Sequence, residues 1–284
     1  MDEMKGNSLA VFNSNDIYPV SADSELPFEQ HRDIFHLSGI DQEETILLLY
    51  PPSKDDKTRE ILFIRKSDNH TKVWEGEKLS KKQANELSGI DNIYYIEDFK
   101  AVLSSIATKV DTFYINKNEH YRANSPVETR EDRFISWLLK KHPAHNVAKS
   151  NPILQRQRSI KHPHEIDQIK RACEITRKGF NRVLKFIKPN IWEYEIEAEF
   201  IHEFINNSSK GFAYSPIIAS GNDNNVLHYI KNNKQCKSGE LILMDVGAEY
   251  GNYSSDMTRT VPVSGKFSKR QKEIYNAVLR VKNE

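Results

Sequence analysis

The sequence predicts two domains: an α/β domain with a mixed sheet and helices, then an α+β domain. Three observations carry this. The chain has 284 residues, more than one ordinary domain of ~100–200 residues needs. Its first ~145 residues alternate short strand-like runs with helical periods, as in a layered α/β sheet. Beyond them a helix pair precedes successive β-rich runs, a different order of elements. The domains are therefore placed at 1–150 and 151–284, with the link between them at about 146–160.

In the first domain, 45–50 (TILLLY) and Glu60–Ile64 (EILFI) are compact aliphatic runs on either side of the charged, turn-rich PPSKDDKTR. They read as strands joined by a hairpin connection. The aromatic-rich runs 92–96 and Thr112–Ile115 are further strands. Between these two, 97–109 sets Phe99, Val102, Leu103 and Ile106 on one helical face. Arg130–Lys141 forms another helix, stopped at His142-Pro143 because proline disfavours helical geometry in the residue before it.

In the second domain, Pro163 opens an amphipathic helix through 188, with Ile166, Ile169, Cys173, Thr176 and Phe180 at helical spacing. Proline is tolerated at a first turn, where its missing N–H has no intrahelical partner. Pro189-Asn190 stops this helix and 192–206 forms the second. The polar run from Lys161 to Glu165 is expected to cap the first of the pair, and Arg156 and Arg158 to lie in a solvated link. β-rich runs follow at 213–219, 241–248 and 252–263. A final helix starts at Ser268, with Gln271 three residues on completing a capping box. It reaches Glu284 with no stop signal, so the ending is expected to be cut rather than finished.

Charge excludes several classes. Lys and Arg number 41 against 40 Asp and Glu, leaving no field to gather nucleic acid or an anionic membrane. No apolar run approaches the ~20 residues that span a bilayer. The start, MDEMKGNSLAVF, lacks the apolar segment of a secretory signal. Cys173 and Cys236 form no paired motif for zinc or a disulfide framework. The expectation is a soluble cytoplasmic protein.

The stretch richest in chemistry is LILMDVGAEYGNYSSDMTRTVPVSG. A hairpin turning at Tyr250-Gly251 sets Asp245 directly opposite Asp256, with Cβ atoms ~5 Å apart. At an effective dielectric of ~20, two such charges repel by about 3 kcal/mol, and burial beside Leu243, Met244 and Val246 raises that cost. Either one carboxyl keeps a proton or a cation neutralises the pair. Hard oxygens suit Mn, Mg or Ca, and two-metal sites hold their ions ~3.5–4 Å apart. Read as ordinary structure, Asp245 caps a turn and Asp256 is a solvated hairpin charge. Upstream, His228 in SPIIASGNDNNVLHYI is expected on a separate β segment, as a core histidine or an active-site one. His202-Glu203 begins a zincin-like pattern, but Asn206 stands where the second histidine is required.

Two of these segments, VLHYIKNN and LILMDVGAEYGNYSSDMTRTVPVSGKFSKRQKEIY, resemble the first part of the catalytic domain of the Xaa-Pro aminopeptidases (aminopeptidase P). These are pita-bread metallopeptidases, with prolidase and methionine aminopeptidase as relatives. HRDIFHLSGIDQEETILLL and VWEGEKLS are similar to that family's amino-terminal domain, so the resemblance covers nearly the whole chain. The short spacing in LHYIKNNKQCKSGELILMD is closer to aminopeptidase P than to prolidase. The resemblance implies an α/β amino-terminal domain followed by the first part of a pita-bread fold. It implies two divalent ions, typically Mn, with Asp245 on one and Asp256 bridging both. It gives His228 contact with substrate, Tyr229 the same pocket, and Thr258 a place behind the ligands. Substrates would be peptides with proline at the second position, and the enzyme a homo-oligomer, a dimer or larger. The family's remaining ligands, a His and two Glu, have no counterpart after Asp256, so this chain alone is expected to be inactive. The alternatives are a prolidase, or a non-catalytic peptide- or protein-binding member of the fold.

Overall fold

The computed structural model describes residues 1–55, 58–118, 120 and 126–284. They form two compact units, Met1–Ile160 and Lys161–Glu284. Asp56 and Lys57, in the connection expected between the first two strands, lie outside the described residues.

The first unit is a six-stranded mixed sheet clothed by helices. Its elements in chain order are β1 (Ser8–Asn13), β2 (Pro19–Ser21), β3 (Ser24–Glu25), α1 (Arg32–Ser38), β4 (Ile46–Leu49), β5 (Glu60–Ile64), α2 (Asn69–Trp74) and α3 (Lys81–Ser88). Then come β6 (Ile93–Tyr95), α4 (Phe99–Ala107), β7 (Thr112–Ile115), α5 (Arg130–Lys141), β8 (Asn146–Lys149) and α6 (Asn151–Ser159). The sheet order is β6-β5-β4-β1-β7-β8. β4 and β5 pair antiparallel, as the aliphatic runs predict, and β7 runs parallel to β1 and β8. One face carries Leu9, Val11, Leu48 and Phe63 against Leu103 of α4 and Leu138 of α5. The other carries Ala10, Phe12, Leu47 and Leu62 against Ile34 of α1 and Leu154 of α6.

Two features depart from the sequence reading. β1, an inner strand buried at all six positions, was not anticipated: its SLAVFN run is apolar on both faces and shows no alternation. The expected link at 146–160 is instead β8 and α6, integral to the first unit. β8 is a polar edge strand that β7 recruits in parallel, and Arg158 of α6 reaches Asp33 at 2.6 Å while Arg156 pairs with Glu3.

The second unit comprises α7 (Pro163–Phe186), α8 (Glu193–Asn206), β9 (Gly211–Phe212), β10 (Ile217–Ser220), β11 (Leu241–Val246), β12 (Ala248–Tyr250), β13 (Tyr253–Ser254), β14 (Met257–Pro262) and α9 (Lys269–Asn283). Glu165 caps α7 by accepting from the His162 N–H at 2.8 Å, and the Ser268–Gln271 box caps α9. β11 is the pivot, antiparallel to β10 and to β14. Its exposure alternates: Ile242, Met244 and Val246 are fully buried in the core with Ile175, Val183, Phe200 and Phe204 of the helix pair. Leu241, Leu243 and Asp245 are therefore on the opposite face, half-buried. The helices cover one side of the sheet and leave the other for polar chemistry. Among the described residues no helix is long and apolar enough to cross a membrane.

Candidate metal centre

The register of the β11–β14 ribbon corrects the sequence expectation. Asp245 faces Thr258, not Asp256. The turn is Gly251-Asn252 rather than Tyr250-Gly251, since Tyr250 pairs with Tyr253. Gly251 has φ 57° and Asn252 φ 66°, the left-handed pair of a two-residue type I′ turn; Gly and Asn accept this backbone and Tyr resists it. Moving the turn by one residue slides the facing partner by two, so parity survives. Asp256, two residues before Thr258, still shares the face of Asp245. Met244 and Val246 point into the core; of the three apolar neighbours only Leu243 flanks the carboxylate.

The two acids converge on a third group. The Tyr214 hydroxyl donates to Asp245 Oδ1 at 2.6 Å and lies 3.1 Å from Asp256 Oδ1. The carboxylate oxygens can thus be no farther apart than those two distances combined. Burial, and then the hydrogen bond to Asp245, raise the Tyr214 hydroxyl well above its ordinary phenol range, so it remains a donor. Tyr214 lies in the expected β-rich run 213–219, but nothing in that run ties it to Asp245, 31 residues on; only the fold brings the two together.

The ribbon bends where it passes Tyr214. Gly247 separates β11 from β12, and a Cβ there would stand 1.8 Å from the Ser255 carbonyl oxygen and 3.1 Å from the Tyr214 ring. Ser255 is held by its N–H to Ala248 O at 3.0 Å, and the Ala248 N–H points at both Thr176 Oγ1 (2.9 Å) and Ser255 Oγ (3.0 Å). Thr176 is fully buried on α7. This seam fixes the two arms of the ribbon, and with them both carboxylates.

His228 does not sit on a β segment. It is exposed in a turn after the short 3-10 stretch Gly221–Asn225, which excludes the core-histidine reading. Tyr229 is buried: its ring packs with Ile217, Ala219 and Leu243, on the carboxylate face, and its hydroxyl donates to Glu193 Oε2 at 2.7 Å. Burial, and next the Glu193 hydrogen bond, raise that phenol too. Thr258 is exposed, directly across the ladder from Asp245.

Chemically, two hard anionic oxygens meet at one point of a half-open face. Neither carboxylate has a lysine or arginine partner, and no group of three or more His, Cys, Asp or Glu is gathered anywhere, among the described residues. The donor set suits a divalent hard cation, and two carboxylates are too few to close its coordination.

Comparison with known proteins agrees on both units. The Aminopeptidase P, N-terminal domain family matches residues 1–114, and Metallopeptidase family M24 matches 167–284, the stretch holding both carboxylates. In both units the chain is thus similar to the aminopeptidase P metallopeptidases. It is 31% identical to the Xaa-Pro aminopeptidase of Escherichia coli, over 98% of this chain and 63% of that protein. It is 30% identical to human Xaa-Pro aminopeptidase 3, over 98% of this chain and 55% of that one. Among solved structures, a Bacillus anthracis protein assigned as an aminopeptidase P superposes with a TM-score of 0.91 at 31% identity, covering 98% of this chain and 66% of that one. A zinc-substituted Escherichia coli aminopeptidase P in complex with product superposes with a TM-score of 0.86 at 30% identity, covering 98% and 63%. The chain thus spans under two thirds of the length of these relatives. The family accounts for the mixed-sheet first unit and identifies the second as pita-bread type.

Proposed function

We propose that this chain carries the first metal-holding carboxylates of an Xaa-Pro aminopeptidase, which hydrolyses the bond between an N-terminal residue and a penultimate proline. The observation that supports this is the convergence of Asp245 and Asp256, from the two arms of the ribbon, on the single Tyr214 hydroxyl, with no cationic side chain among the described residues paired to either. Two divalent ions, Mn in this reading, would be held by Asp245 on one and Asp256 on both. When bound, such ions lower the pKa of a water and stabilise the developing oxyanion. Tyr214 orients one oxygen of each carboxylate, Thr258 flanks Asp245, and exposed His228 contacts the substrate. Tyr229 serves the pocket through its ring, since its hydroxyl is taken.

Because each ion needs about six ligands and two carboxylates are in place, the chain alone binds Mn weakly and does not turn over. In this reading the aminopeptidase works in the cytoplasm on peptides with proline second, as a dimer or larger oligomer. Calorimetric titration with Mn²⁺, and hydrolysis of Ala-Pro-Ala, test the reading. Weak binding lost in Asp245→Asn and in Asp256→Asn, without cleavage, is expected. No binding by the parent chain would overturn the metal assignment, and brisk Mn-dependent cleavage would overturn its inactivity.

A further inference from the structure

Glu193 is a buried carboxylate of the second unit held by four hydrogen bonds. It is 0% exposed at the start of α8. Its Oε1 accepts from Ser220 N at 2.7 Å and Ser220 Oγ at 2.8 Å; its Oε2 accepts from Tyr229 Oη at 2.7 Å and Lys234 N at 3.0 Å. The Glu193 N–H in turn donates to Lys234 O at 3.0 Å. Residues 220 and 234 are the two ends of the segment carrying His228, and Tyr229 is near its middle. A charge taken out of water is tolerated only when its lone pairs are filled, and here four donors fill them at the positive end of a helix.

We propose that Glu193 is a positioning residue, clamping both ends and the middle of the 220–234 segment so that His228 is presented beside the face bearing Asp245. The tie to that face is direct. Tyr229 packs on Ile217, the cross-strand partner of Asp245, and on Leu243, two residues before it on the same side. His228 adjoins Tyr229 and is itself exposed, with no hydrogen bond holding it among the described residues, so its placement is inherited from the clamp. The role given to His228 rests on the function proposed above; the clamp does not.

Two readouts separate these. In the 284-residue chain, hydrogen exchange of 221–233 is followed in Glu193→Gln and Tyr229→Phe. The amide of Gln sets a donor against donors, whereas Phe removes one of four bonds and folds even where Gln does not. The expected result is a rise of about tenfold or more in exchange confined to this segment, larger for Gln. Exchange that rises evenly across the second unit, or not at all, overturns the clamp. The second readout is Mn²⁺ broadening of the His228 imidazole resonance, expected in the parent and weakened in Tyr229→Phe at equal Mn²⁺ occupancy. Equal broadening in both overturns the positioning of His228. Should Mn²⁺ not bind the parent, the metal reading fails and the exchange result alone decides the clamp.

Discussion

Replacing Gly247 with alanine tests the seam that sets the carboxylates. The added Cβ would lie 1.8 Å from Ser255 O and 2.7 Å from Ser255 C. Both are backbone atoms, so no flexible side chain can yield, and the β13–β14 arm must withdraw by well over an ångström to restore ordinary contact. Overpacking of this kind costs ~1–3 kcal/mol. The withdrawal also breaks the Ser255–Ala248 hydrogen bonds, each worth about 1 kcal/mol net. Together these give about 3–5 kcal/mol, which for a unit of this size lowers the midpoint of thermal unfolding by about 10–20 °C. Circular dichroism melts of parent and variant measure it. A variant melting within about 3 °C of the parent would refute the argument, because cost and carboxylate placement both follow from the same close approach.

Other expectations follow from the same contacts. Thr176→Val keeps the volume but strips a fully buried hydroxyl from Ala248 N and Ser255 Oγ, and urea unfolding should show a loss of about 2 kcal/mol. Millimolar Mn²⁺ should raise the melting midpoint of the parent and leave that of an Asp245→Asn, Asp256→Asn double variant unchanged. In the first unit, burial raises the Glu131 carboxyl above its ordinary value, against hydrogen bonds from Asn13 and Asn116 that lower it. The folded state thus holds this proton at a pH where the unfolded chain has released it. Its contribution to stability is greatest at acid pH and falls as pH rises through the folded value. Glu131→Gln should flatten that decline between pH 4 and 7 in urea titrations, and an unchanged slope would count against the burial argument.

Much of this fold was legible because it is locally encoded. Strands β5 and β7 and helix α5 match their expected spans, since aliphatic runs and the His142-Pro143 stop act over a few residues. The Ser268–Gln271 cap was visible for the same reason. The site was half legible. That two acids share one face depends on parity alone, which sequence carries; which residues face each other depends on where the turn falls. Tyr250-Gly251 and Gly251-Asn252 differ by one position, and only the demand for two left-handed residues separates them. Tyr214 and Glu193 were illegible because their roles arise from partners more than twenty residues away. Strand β1, apolar on both faces, gave no period to read, and β8 is too polar to stand out without its neighbour β7.

Both acids belong to a single β-ribbon closed by two residues, and this has a kinetic consequence. Short-range closure carries little entropic cost, and hairpins form in ~1–10 μs. The negative pair is therefore assembled as soon as the ribbon zips, ahead of the slower docking of distant segments. A nascent chain thus brings both carboxylates to one face early, through local closure alone.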